Sequence, residues 1–131
     1  MSSGLIDTSV VIDLDEPVVD AALPDEMRVC TITLAELAAG PHFATSSAEA
    51  ARRQTRLQQV EATFETLAFD AAAARSYGQI AAAVTAAGRS HRSRFADLLI
   101  AATAHANGIT LYTRNPDDFV GLEDLLHIVA I

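Results

Sequence analysis

The sequence has no lysine, a single cysteine, few aromatic residues and no long hydrophobic run. Each shortage excludes a class. A P-loop needs its lysine at the phosphates, and a phosphate-receiver domain needs one as well. An aspartyl-phosphate phosphatase needs a lysine and a second aspartate two residues after the first, where this chain has Ser9. The lone Cys30 lies in an apolar run, builds no disulfide framework and suits a reducing compartment. No apolar stretch reaches bilayer length. The N-terminus lacks a basic start and meets Asp7 early, which argues against a signal peptide. Zinc spacing is missing too: His42, His91, His105 and His127 are scattered, without HExxH or CxxC, and read as surface or structural residues. His91, beside arginines, is the one placed to touch a ligand.

What is present is a folded composition. The 131 residues suit one domain spanning residues 1–131, half of them are hydrophobic, and alanine is abundant. The net charge is −8 and the isoelectric point about 4.7, which argues against wholesale neutralisation of nucleic-acid phosphates. Yet all nine basic residues are arginine, and several cluster: Arg52, Arg53 and Arg56, then Arg89, Arg92 and Arg94 in GRSHRSR. These clusters are either solvated faces or local phosphate contacts, for which the guanidinium fork is suited.

The stretch GLIDTSVVIDL sets the first question. Leu5 and Ile6 enter a core and Val10 to Ile12 leave it, with Asp7 between. A carboxylate beside a core needs a partner, so Asp7 caps a helix, forms a salt bridge or holds a metal.

Residues 4–7 read as a strand and Ser9 onward as a helix. A proline-punctuated loop, LDEPVVDAALPDE, follows. Arg28 to Ile32 is a second strand, and Thr33 N-caps a helix stopped by Gly40-Pro41. A helix from Ser46 to about Phe64 precedes a strand from Glu65 to Phe69. Asp70 caps an alanine-rich helix reaching Ala87 and ended by Gly88. After the arginine loop, Phe95 to Asn107 forms an apolar helix closed by Asn107-Gly108. Ile109 to Thr113 is a strand, RNPDDF a polar loop and HIVAI a terminal strand. The alternation predicts an α/β fold, a mostly parallel sheet flanked by helices on both faces. Ligands then gather outside the carboxyl ends of the strands.

Four acidic positions fall at such junctions: Asp7, Glu36, Asp97, and Asp117 with Asp118 beside it; Asn115 adds a neutral oxygen. Each has a plain reading. Asp7 caps a helix, Glu36 completes a T-x-x-E capping box with Thr33, Asp97 complements a helix dipole, and Asp117 and Asp118 are turn residues. Together they would repel one another unless a cation sits among them. Oxygen donors select hard ions such as Mg²⁺ or Mn²⁺.

IDTSVVIDL, TLAELAAG, ADLLIAATA and LYTRNPDDF, in this order and spacing, resemble the PIN-domain nucleases, and among them the VapC toxins of bacterial toxin–antitoxin pairs. The resemblance implies a metal-dependent endoribonuclease, cytoplasmic and without membrane attachment. Asp7, Glu36, Asp97 and Asp117 would be its catalytic, metal-holding acids, supported by Ser9, Thr113 and Asn115. Many relatives carry aspartate at the Asn115 place, in T-R-D-x-D-F, so Asp117 is the expected fourth carboxylate. Cleavage would use a Mg²⁺-activated water, leaving 5′-phosphate and 3′-hydroxyl ends on tRNA or another structured RNA. Arg89, Arg92 and Arg94 would guide phosphates. A homodimer and a cognate VapB-type antitoxin are implied partners. A degenerate PIN module that binds a partner protein or RNA without cleavage is the alternative.

Overall fold

A computed structural model describes residues 2–131. Its centre is β1 (Ser3–Ile6), flanked by β2 (Glu26–Cys30) on one side and β4 (Thr110–Thr113) on the other. β3 (Glu65–Leu67) and β5 (Ile128–Ala130) form the edges, giving the order β3-β2-β1-β4-β5 with every pairing parallel. In register, Leu5 lies between Arg28 and Leu111.

Strand alternation assigns neighbouring residues to opposite faces, and both faces are buried. Leu5, Cys30 and Leu111 join one core with Leu98, Ile100 and Ala101, while Ile6 and Val29 join a second with Val10, Val11, Leu37 and Val60. α5 (Ala71–Ala86) and α6 (Phe95–Asn107) cover the first face. α1 (Thr8–Ile12), α3 (Thr31–Ala39) and α4 (Ser47–Thr63) cover the second. Gly4 is required where it is, because the ring of Tyr112 occupies the space a Cβ would take.

Local chemistry sets the boundaries. The Asp70 carboxylate accepts from the Ala73 N–H at 2.9 Å and starts α5. Ser46 starts α4 in the same way, accepting from the Glu49 N–H at 3.1 Å. α6 ends at Gly108, which takes the left-handed conformation at φ 64°.

Three expectations need correction. The proline-punctuated stretch holds a short helix, α2 (Pro17–Asp20), entered through Pro17 at its first position. The polar RNPDDF loop contains a 3₁₀ turn, Pro116–Phe119, and Gly40–Phe43 forms another after α3. Thr33 is not an N-cap. β2 runs directly into α3, Cys30 takes the cap position with its sulfur accepting from the Ile32 N–H at 3.4 Å, and Thr33 lies buried inside the helix. Among the described residues, no helix is long and apolar enough to cross a membrane.

Candidate active site

The chain leaves β1 toward β2 and β3, then returns to build β4 and β5 on the opposite side of β1. The order reverses between β1 and β4, the place where an open parallel sheet forms a crevice at its carboxyl edge. Asp7 follows β1 at this point, only 2% exposed, and its N–H donates to the Tyr112 carbonyl of β4 at 3.1 Å.

Asp7 does cap α1. Its Oδ1 accepts from the Val10 N–H at 3.1 Å and from the Ser9 hydroxyl at 2.6 Å. Burial nevertheless raises its pKa, against the opposing hydrogen bonds of Ser9, Thr113 and the Val10 backbone. Among the described residues it has no ion-pair partner, so the salt-bridge alternative falls. Both Oδ1 bonds leave Oδ2 outside the cap.

Glu36 is released from the capping role expected for it, because Thr33 lies within α3 rather than before it. Its Oε1 accepts instead from the Thr8 hydroxyl, 2.7 Å away on α1. The hydroxyls of Thr8 and Thr33 are 3.1 Å apart and join α1 to α3. Successive residues of α1 thus orient two acids, Thr8 holding Glu36 and Ser9 holding Asp7.

Asp97 lies in the first turn of α6. Helix geometry favours an anion there, but the surroundings outweigh that help. Its pKa is pushed up to about 6, first by burial and then by the carboxylates of Asp118, Asp7 and Glu36, with Arg94 opposing. Acids from β1, α3, α6 and the loop after β4 therefore act on one another across a shared space.

The fourth acid in that group is Asp118. Asp117 is exposed and engages neighbours through its carbonyl, which accepts from Arg89 Nη2 at 2.8 Å. Asp118 is half-buried and meets Arg94, Nε to Oδ1, at 3.3 Å. Adjacent residues of a 3₁₀ turn point about 120° apart, so one of them can face Asp97 while the other faces solvent. The Thr113 hydroxyl accepts from the Asn115 N–H at 3.0 Å, and Asn115 itself is exposed.

Of the arginines expected to face phosphate, Arg89 and Arg94 tie the arginine loop to the Pro116–Phe119 turn, and Arg92 is exposed. The histidines stand apart from the acids: His105 bonds Ser76 at 2.9 Å, His127 lies 3.4 Å from Thr110, and His42 and His91 are exposed. Thr8 and Arg114 belong to this neighbourhood and were not singled out from the sequence. Both lie inside quoted motifs, IDTS and YTRN, which was the available signal.

The donor set is all oxygen. Among the described residues, no group of three or more acidic, histidine or cysteine side chains is placed to hold a metal ion by itself. Mg²⁺ keeps several waters and is usually held by one or two protein carboxylates together with substrate phosphate. The charge crowding around Asp97 is the kind that a divalent cation relieves.

The PIN domain family profile matches residues 4–124. Ribonuclease VapC5 from Mycobacterium tuberculosis is 35% identical over 136 residues, covering 99% of this chain and 95% of that one. The crystal structure of VapBC-5, a member of the VapBC family of toxin–antitoxin systems from the same organism, superposes with a TM-score of 0.86. Its sequence identity is 32% and all of both chains is covered. The crystal structure of FitAcB from Neisseria gonorrhoeae matches with a TM-score of 0.76 at 26% identity, covering 95% and 94% of the two chains.

Proposed function

The chain belongs to the PIN domain family, and on that premise we propose that it is a metal-dependent endoribonuclease, the toxin of a type II toxin–antitoxin pair. The observation that carries the reading is the convergence of Asp7, Glu36 and Asp118 on Asp97, whose pKa is pushed up to about 6 by burial first and by those three carboxylates next. A core gains nothing from four acids at one sheet edge, whereas a hard cation used in phosphodiester hydrolysis is held by carboxylate oxygens. Its relation to Ribonuclease VapC5 supports RNA as the substrate.

In this reading Asp7 and Asp97 hold the cation, with Glu36 and Asp118 completing its surroundings through oxygen or bound water. A divalent ion there supplies Lewis acidity at phosphorus and a water of lowered pKa. Ser9 fixes the Asp7 carboxylate and Thr8 fixes Glu36, so the acids are set before substrate arrives. Burial of Asp7 keeps bulk water from screening it. Exposed Arg92 is the phosphate contact, whereas Arg89 and Arg94 shape the turn that carries Asp118. The scissile bond is the 3′-O–P bond of a structured RNA such as tRNA, cut where bases are accessible.

The antitoxin is a VapB-type protein, as expected from the VapBC-5 relative. A groove of about 650 Å³ between α1 and α4 supports such a partner. Val11, Ile12, Leu14 and Phe64 line its apolar side, Arg52 and Arg56 its charged side. Ile12 is 49% exposed there. A homodimer acting in the cytoplasm belongs to the same proposal.

Incubating the purified chain with a pool of tRNAs tests the function. With Mg²⁺ or Mn²⁺, discrete cuts are expected; a chelator or Asp97→Asn abolishes them. Cuts that persist with chelator would overturn the metal mechanism. Cation binding without cleavage of any RNA would favour a partner-binding module.

A further inference from the structure

Arg114 stands at the exit of β4 and joins three segments that meet at the candidate site. Its backbone N–H donates to the Ser9 hydroxyl at 3.0 Å, and that hydroxyl donates its one proton to Asp7 Oδ1 at 2.6 Å. Its guanidinium reaches the far end of the same helix. Nη1 donates to Asp13 Oδ2 at 2.8 Å and to Glu16 Oε2 at 2.6 Å. Asp13 is the C-cap of α1 and Glu16 the N-cap of α2.

α1 has five residues, too few to hold its own shape in water. Val10 and Val11 anchor one side in the core, but a single apolar side does not fix rotation about the helix axis or sliding along it. That freedom matters here. Thr8 and Ser9, in its first turn, orient Glu36 and Asp7. A small movement of α1 would move both carboxylates relative to Asp97.

We propose that Arg114 is a positioning residue: by clamping Asp13 and Glu16 while its backbone holds Ser9, it sets α1 and thereby the cation-holding geometry of Asp7 and Glu36. The inference rests on the metal-dependent reading above. It also separates Arg114 from the exposed Arg92, since a guanidinium committed to two carboxylates is not the group that awaits a phosphate. An exposed ion pair of this kind contributes little to stability by itself. Its effect is on where two acids stand, as with the outer partners of metal ligands.

Mn²⁺ binding, thermal melting and RNA cleavage are measured on the full chain, on Arg114→Gln and Arg114→Lys, and on the double variant Asp13→Asn/Glu16→Gln. The double variant removes the same clamp from its other side, so the test stands even where Arg114→Gln folds poorly. Expected is a loss of Mn²⁺ affinity of about tenfold in Arg114→Gln, with a matching loss in the double variant and no further loss when all three are combined. KM for RNA stays unchanged, kcat falls and is rescued by excess Mn²⁺, and Arg114→Lys, whose ammonium can also meet both acids, retains most of the affinity. Unchanged Mn²⁺ affinity with lowered melting would make Arg114 merely structural. A raised KM in Arg114→Gln but not in the double variant would make it a phosphate contact. Either result leaves the nuclease reading intact, whereas a wild-type chain that binds no Mn²⁺ overturns both.

Discussion

The two ends of the candidate site solve one problem differently. At the β1 end, Asp7 is almost fully buried yet anchored, with two hydrogen bonds on one oxygen and a third residue, Arg114, holding Ser9 in place. At the α6 end, Asp97 is less buried but more crowded, facing three other carboxylates with Arg94 opposing them. Asp7 is therefore held in place by hydrogen bonds from its own helix. Asp97 carries an electrostatic cost, from burial and from its acidic neighbours, that a bound cation would offset. One acid supplies geometry and the other supplies the demand for charge.

Substitution at Asp7 breaks the comparison most severely. Asparagine is a good N-cap, so Asp7→Asn keeps α1 in place while losing the charge. Both Asp7→Asn and Asp7→Ala should lose Mn²⁺ binding in a calorimetric titration. Only Asp7→Ala also loses the cap, and should be less stable than Asp7→Asn by about 1 kcal/mol in urea unfolding. Equal stabilities would mean that the cap contributes nothing and that Asp7 is not the anchored member of the pair.

The next effect concerns the fourth acid. Asp118→Asn should weaken Mn²⁺ binding by about tenfold, and Asp117→Asn, at an exposed side chain, should leave it unchanged. The reverse order in a binding titration would return the role to Asp117.

A comparable effect is the pH dependence of the metal-free chain. Asp97 titrates near 6 in the folded state against an ordinary value of 3.8. The folded chain therefore holds the proton more tightly. Between about pH 4 and 6 the folded state carries more protons than the unfolded one, so this group's contribution to stability declines as pH rises through that window and levels off above it. Asp7, also raised, acts in the same direction. With solvent screening, the Asp97 share is about 1 to 2 kcal/mol. Chemical unfolding at several pH values should show this slope in the chelated wild type and a reduced one in Asp97→Asn.

The difference between the two ends also marks what the sequence could express. Asp7 was legible because its constraint is local: a strand, an acid and a helix follow one another, and IDTS contains both the cap and its hydroxyl partner. Asp70 at the start of α5 and Gly108 at the end of α6 were legible for the same reason. The parallel sheet followed from alternation of strands and helices, and the family resemblance from four motifs in order. Thr33 was misread because T-x-x-E is a capping signal only if the helix starts there, and the direct passage from β2 moved the start to Thr31. Asp117 and Asp118 differ by the rotation of one residue in a short turn, which no spacing rule specifies. Arg89 and Arg94 form tethers because their loop folds against that turn, a tertiary fact.

The most direct test is thermal unfolding of the wild type and Asp97→Asn at pH 7, each with chelator and with saturating Mn²⁺. The account predicts that Asp97→Asn melts higher than the wild type without metal, since a crowded charge has been removed. It also predicts that Mn²⁺ raises the wild-type melting temperature and leaves the variant nearly unmoved. A wild type unaffected by Mn²⁺, or a variant stabilised by it just as strongly, would contradict the claim that the acids around Asp97 form a cation site.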